Sequence, residues 1–315
     1  MEDCLVYFFT GFLDSGKTSV ICSWIDGDNF NKKKVLVLCA EEGEEEYIAE
    51  NYPNANPTVI HVETEEFSKK MMFDLEKQYK PDVIFIEWNG MVSPAEFFEK
   101  IDVPRRWLLA AAVVVIDTST YAEYFRSMQT IFADYYRYCD TVIFNRVDTD
   151  VHDIPRLRAS CKSVNPGMSI NFLDKDNEII SIEDHLPFDL NADPCNIEAD
   201  DFGLFYTDAL DNVKRYNGKR VSLIGRAVVF REFKGKAFAI QRQAYTCCAA
   251  DMGQINLLCF YDVKPGFPVG QWVKVTGTIR YFEENQGGQK VAIPCLTVED
   301  YAITSKPDNE VIYFN

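Results

Sequence analysis

The chain has 315 residues, 47% of them hydrophobic and 26% charged, which suits a soluble globular protein with room for two cores and excludes a disordered or fibrous one. Its net charge of −17 is uneven: residues 1–201 carry −20 (18 Lys and Arg against 38 Asp and Glu) and residues 202–315 carry +3 (14 against 11), so nonspecific nucleic-acid binding is not expected of either part. The opening Met-Glu-Asp-Cys lacks a basic n-region, and the longest apolar run, Trp107–Ile116, is half of what a membrane helix needs; a cytoplasmic protein with reduced cysteines is the expectation.

In chain order, Cys4–Thr10 reads as a buried strand. It runs into Gly11-Phe12-Leu13-Asp14-Ser15-Gly16-Lys17-Thr18, the pattern G-x-x-x-x-G-K-[ST]. The glycines let backbone N–H groups turn inward around a phosphate, the lysine supplies a point charge to the β/γ oxygens, and the hydroxyl can ligate Mg²⁺. Val20, Ile21, Trp24 and Ile25 mark the apolar face of a following helix, the strand–loop–helix setting that this motif needs. Gly11, Asp14, Ser15, Gly16, Lys17, Thr18 and Ser19 are therefore candidate nucleotide-binding residues.

Further strands are expected at Lys34–Ala40, Thr58–Val62, Asp82–Glu87, Ala111–Asp117 and Thr141–Asn145, with amphipathic stretches such as Glu65–Tyr79 and Tyr121–Tyr138 between them. Buried runs separated by helices predict an α/β domain with a mostly parallel sheet, whose ligand sits at the carboxyl ends of the strands. Two of those ends carry chemistry. Glu87 closes one strand before Trp88-Asn89-Gly90; its carboxylate can hold Mg²⁺ or polarise water, and the Gly90 N–H can meet a γ-phosphate. Asn145-Arg146-Val147-Asp148 closes another; an aspartate there can accept the two guanine N–H groups that adenine lacks. The guanidinium of Arg146 can stack on the base where GTPases of the N-K-x-D pattern use lysine.

The pattern fails around Asp174–Asp201, and the expected organisation is a P-loop domain over 1–175, a linker over 176–204 and a β domain over 205–315. Strands are expected at Val221–Phe230, Ala237–Tyr245, Ile255–Tyr261, Trp272–Phe282 and Lys290–Ala302, with turns at Lys234-Gly235, Pro265-Gly266 and Gly287-Gly288. Five strands in about 90 residues predict a small OB-like barrel.

The P-loop G-F-L-D-S-G-K-T-S, the strand end E-W-N-G-M-V-S-P (Glu87–Pro94), the V-V-V-I-D-T strand and the N-R-V-D resemble the CobW/HypB/UreG-type GTPases, the CobW branch most closely, over about residues 3–175. The resemblance implies GTP with Mg²⁺ as ligands, GTP hydrolysis, and a role in metal insertion or delivery to a client metalloprotein. It also implies that Ala40-Glu41-Glu42-Gly43-Glu44 is the counterpart of an acidic switch segment, with Glu42 the candidate for positioning water beside Lys17 and Glu87. One departure is clear: the G-C-x-C-C metal motif usual in CobW proteins has no counterpart, since no cysteine lies between Cys39 and Cys139.

In the C-terminal part, Thr246-Cys247-Cys248-Ala249-Ala250-Asp251, Gly270-Gln271-Trp272-Val273-Lys274-Val275-Thr276-Gly277, Gly218-Lys219-Arg220-Val221 and Gly225 resemble the C-terminal domain of YcgQ-type envelope proteins, over about residues 205–303. That resemblance implies association with a membrane permease. Cys247 and Cys248 could give thiolates to a soft ion such as Zn²⁺, provided the chain turns there; two small buried residues at a strand end are the plainer reading. Cys259 and Cys295 are candidates to approach them, and His61, His152 and His185 read as surface or structural residues. Three functions follow: a GTPase coupled to metal handling; a nucleotide-dependent switch that docks a partner through the barrel; and an ATP-dependent P-loop enzyme. No arginine finger or catalytic glutamine is evident, which leaves a partner or a homodimer to complete the site.

Overall fold

A computed structural model of the chain describes residues 3–41, 43, 47–48, 55, 57–180, 186–229, 236–245, 252–261, 266–286 and 289–313. The chain divides into two compact units, residues 1–152 with 164–181, and residues 153–163 with 182–315.

The first unit is a parallel sheet of β1 (Cys4–Thr10), β2 (Val35–Cys39), β3 (Thr58–His61), β4 (Val83–Glu87), β5 (Trp107–Asp117), β6 (Thr141–Asn145) and β7 (Ser169–Phe172), in the order β3-β2-β4-β1-β5-β6-β7. β2, β4 and most of β1 are buried, as continuous apolar runs covered on both faces must be. Between the strands lie α1 (Lys17–Asp26), α2 (Lys69–Tyr79), α3 (Ala95–Phe98), α4 (Thr118–Ser127) and α5 (Gln129–Tyr138). Phe9 packs on one face with Val20, Ile21 and Ile25 of α1 and with Phe85, Val113 and Val115. Phe8, its neighbour on the opposite face, meets Trp88, Phe97 and Phe98. Burying each such side chain contributes about 1.5–3 kcal/mol. Chain order reverses across β1, which pairs with β4 on one side and, with a register shift between Val6 and Tyr7, with β5 on the other. The crevice for a ligand therefore opens at the carboxyl end of β1.

Local capping sets the helix limits. Ser68 accepts from the Met71 N–H and starts α2 four residues later than the amphipathic pattern from Glu65 suggests. The stretch Tyr121–Tyr138 is two helices rather than one: Met128, at φ −132° and ψ 38°, ends α4 and precedes α5.

The second unit contains α6 (Ile154–Val164, residues 154–163 of it), β8 (Cys195–Asn196), α7 (Phe202–Asp211), α8 (Val213–Tyr216), β9 (Arg220–Val229), β10 (Ala237–Tyr245), β11 (Met252–Phe260), β12 (Trp272–Gln286), β13 (Gln289–Ile303) and β14 (Val311–Tyr313). β9 pairs antiparallel with both β10 and β12, β10 with β11, β12 with β13, and β11 runs parallel to β13. These pairings close a five-stranded barrel in the order β9-β10-β11-β13-β12, the OB-like form expected. Leu223, Ile240, Leu257, Val275 and Leu296 fill it.

Two stretches are placed differently from expectation. Within 176–204, read as a linker, Phe188, Cys195, Ile197 and Phe202 are buried in the barrel unit's core, so much of it packs. Residues 153–163, read as part of the P-loop domain, group with the C-terminal unit. There Arg158 pairs with Asp208 and Asp211 and Lys162 with Asp211, an affinity between distant charges that periodicity does not carry. No helix among the described residues is long and apolar enough to cross a membrane.

Candidate functional site

The glycine loop leaves β1 at Gly11 (φ 136°) and enters α1 at Gly16 (φ 99°), conformations that side chains with a Cβ avoid. Space is closed as well: a Cβ would lie 2.0 Å from the Val115 carbonyl oxygen at Gly11 and 2.4 Å from Asn145 Nδ2 at Gly16. Gly90 packs behind the loop, where a Cβ would fall 2.0 Å from the Gly11 carbonyl oxygen, and its own carbonyl accepts from the Tyr135 hydroxyl. The loop thus faces the first turn of α1, whose N–H groups have no helical acceptors. The Ser15 hydroxyl, 2% exposed, has no hydrogen-bonding partner among the described residues, a feature of a cradle suited to an anion.

Lys17 is 3% exposed. Its Nζ donates to the carbonyls of Gly11 (2.8 Å) and Phe12 (3.0 Å) and to Glu41 Oε2 (2.6 Å). Next to it the Thr18 hydroxyl donates to Glu87 Oε1 at 2.9 Å. Glu87 ends β4, whose register places it level with Phe9 of β1 and Cys39 of β2. It is 3% exposed. Its second oxygen accepts from the Tyr47 hydroxyl and lies 3.8 Å from Cys39 Sγ. Burial pushes the Glu87 carboxyl above the usual carboxylate range, against the pull of the Tyr47 hydroxyl, the Lys17 ammonium and the Thr18 hydroxyl. Burial, then the neighbouring Glu87 charge, raises the Cys39 thiol to about 12, so it stays protonated. The Thr18 hydroxyl and Glu87 carboxylate form an oxygen corner beside the phosphate cradle, a donor set that fits Mg²⁺.

On the other side of the loop, Asn145 Nδ2 donates to the Ser15 carbonyl at 3.1 Å and Asn145 Oδ1 accepts from the Arg146 N–H at 2.9 Å. Arg146 adopts φ 56°; the Thr118 hydroxyl, 2.8 and 2.9 Å from the Asn145 and Arg146 carbonyls, holds that turn. The Arg146 guanidinium donates to the Asp14 carbonyl at 2.9 Å and pairs with Asp117, so it is tied across the loop rather than extended for stacking. Asp14 is exposed at φ 60°. Asp148 is also exposed; its Oδ1 accepts from the Asp150 N–H at 3.0 Å, and its own N–H donates to His152 Nδ1 at 2.9 Å.

One pocket is lined by Asp14, Gly16, Lys17, Thr18, Ser19 and Glu87, together with Leu13, Glu41, Gly43 and Arg146. The pocket lining holds Asp14, Gly16, Lys17, Thr18, Ser19 and Glu87 of the expected residues; Gly11, Ser15, Gly90 and Asn145 lie behind it, in or against the loop, and Asp148 lies outside the lining with no contact to the loop among those described. Sequence reasoning missed Glu41, Tyr47 and the Arg146–Asp117 pair. Two signals point to the first two: Glu41 lies two residues past the end of β2, where ligands of parallel sheets bind, and Tyr47 is an aromatic in an otherwise acidic run. Glu42, the residue singled out there, lies outside the described residues, as do Cys247 and Cys248.

Among the described residues, no three His, Cys, Asp or Glu side chains stand together as a metal site. Cys259 and Leu296 share a register position and both enter the barrel core. Cys295, level with Leu258, is on the opposite face, so the two thiols do not face each other.

A family profile described as the CobW/HypB/UreG nucleotide-binding domain matches residues 5–172, and one described as the DUF1980 C-terminal domain matches residues 174–314. None of the curated protein sequences matches the chain. Among solved structures, the chain is similar to the hydrogenase maturation factor HypB from Archaeoglobus fulgidus (18% identity, 56% of this chain and 84% of that one, TM-score 0.42). It is also similar to HypB from Helicobacter pylori in complex with nickel (18%, 55% and 80%, TM-score 0.40), and to the small single-stranded DNA-binding protein from Streptomyces coelicolor (12%, 28% and 95%, TM-score 0.20). With the glycine cradle, the lysine and the acidic strand end on one side of the sheet and more than half of the chain matched by the profile, the protein belongs to the CobW/HypB/UreG family.

Proposed function

We propose that the protein binds and slowly hydrolyses GTP and that this cycle serves metal handling or delivery to a client metalloprotein. The observation that carries the reading is the convergence of Lys17, Thr18 and Glu87 at the carboxyl ends of β1 and β4. Gly11–Ser19 hold the phosphates through backbone N–H groups, and Lys17 supplies the point charge. Thr18 and Glu87 would hold Mg²⁺, which would supply positive charge to neutralise the phosphates. Glu87 orients groups on the γ side, and the Gly90 backbone closes the cradle from behind. Asn145 braces the loop through Ser15, and Asp148 reads the guanine edge. Glu87 stands at the strand end where a carboxylate can polarise attacking water. Zn²⁺ is the ion to test, with Cys247 and Cys248 as its candidate ligands.

The test is a titration with labelled GTP, with and without Zn²⁺, using Lys17→Ala as control. Binding that Lys17→Ala abolishes and Zn²⁺ alters supports nucleotide-coupled metal handling. Binding that is indifferent to Zn²⁺ makes the protein a nucleotide switch whose barrel docks a partner such as a permease. A preference for ATP removes the role given to Asp148.

A further inference from the structure

An ammonium group has three N–H donors, and those of Lys17 have three acceptors: the carbonyls of Gly11 and Phe12 and the carboxylate of Glu41. The first two belong to the loop's own backbone. The third belongs to a segment beyond β2, at 2.6 Å, with Lys17 3% and Glu41 11% exposed. A buried cation needs a countercharge, and Glu41 supplies it. A carboxylate oxygen and a phosphate oxygen are the same kind of partner for an ammonium group, so the two compete for one position.

The same stretch engages the other half of the site. Tyr47 donates to Glu87 while its ring packs on the core that holds Phe9 and Phe85. The Cys39 thiol donates to the Glu41 carbonyl at 2.9 Å, which fixes where the Glu41 side chain begins. Glu41 and Tyr47 thus occupy the group that would meet phosphate and the group that would serve Mg²⁺. A nucleotide entering with Glu41 in place would also set its phosphates against a carboxylate, a repulsion in a poorly solvated pocket.

We infer that Glu41 is a built-in competitor for nucleotide phosphate at Lys17 and that Tyr47 occupies Glu87 in the same nucleotide-free arrangement. Binding a polyphosphate and displacing the Glu41 carboxylate are then one event. This rests on the nucleotide reading above. The Glu41 contact lowers apparent affinity by the fraction of molecules in which it is broken, and it acts only on ligands that carry phosphate at Lys17.

Affinities of GTP and of guanosine, measured by calorimetry with wild type, Glu41→Gln and Tyr47→Phe, test this. Glu41→Gln is expected to bind GTP roughly tenfold more tightly, corresponding to a released fraction of about one-tenth in the wild type, and guanosine equally well. Tyr47→Phe keeps the ring and loses only the hydroxyl; it is expected to bind GTP about two- to fivefold more tightly, and it carries the test if Glu41→Gln does not fold. If Glu41 instead helps to hold Mg²⁺ or merely orders the loop, Glu41→Gln binds GTP more weakly or unchanged, and the inference falls. It also falls if guanosine affinity rises as much as GTP affinity. Absence of GTP binding in wild type and both variants overturns the nucleotide reading itself, and this inference with it.

Discussion

Each unit buries charge, and the two do so on different plans. In the N-terminal unit Lys17 pairs, among the described residues, with one carboxylate, Glu41, at the lining of a pocket. In the C-terminal unit Asp208, 2% exposed, accepts from Arg215 at 2.8 Å, the Tyr216 hydroxyl at 2.7 Å and Asn212 Nδ2 at 2.7 Å, with Arg158 at 3.5 Å. Arg158 and Lys162 also reach Asp211. A carboxylate held by four partners at once is fixed from several sides, so it fixes structure. An ammonium group with one ionic partner at an opening can trade it for a ligand. Redundancy of partners, more than burial, separates a scaffold charge from a working one.

The largest expected effect is on the scaffold side. Asp208→Ala takes the acceptor from the buried Tyr216 hydroxyl and removes a carboxylate shared by Arg158 and Arg215, and should cost about 3 kcal/mol, read as a fall in the urea midpoint; a loss under about 1 kcal/mol would erase the contrast. Lys17→Ala comes next: GTP affinity should fall by about 100-fold, the worth of one or two charge-assisted hydrogen bonds, with the urea midpoint moving far less than for Asp208→Ala. Gly16→Ala should weaken GTP by at least about tenfold, because its Cβ meets Asn145 Nδ2 in a left-handed backbone. Asp148→Ala should leave ATP affinity alone and lower the preference for GTP by about tenfold or more, read by competition binding. The smallest change is Arg146→Lys. Its pair with Asp117 is partly exposed, 46% and 14%, and such pairs contribute about 0–1 kcal/mol, so GTP affinity should shift only a few-fold.

Legibility followed the same division. Cys4–Thr10, Ala237–Tyr245 and Thr141–Asn145 were readable to the residue, because apolar runs bounded by glycine, lysine or aspartate mark their own ends. β8 and β14 were not, being two and three residues long, too short to show a period. Glu41 was hidden because nothing in an acidic run says which member faces the lysine 24 positions earlier.

From sequence alone came the phosphate loop, the Glu87 strand end, the Asn145–Asp148 turn, the parallel sheet and the barrel. Each is written within a short window, where glycine positions and side-chain periodicity dictate backbone shape and therefore which groups emerge at a strand end. Only the tertiary structure decided that Lys17 is neutralised by Glu41, that Tyr47 lies on Glu87, that residues 153–163 group with the C-terminal unit and that Phe188, Cys195, Ile197 and Phe202 are core. Those outcomes depend on pairings between residues far apart in the chain, and a buried charge or aromatic ring takes whichever partner the packed sheet and barrel bring within reach.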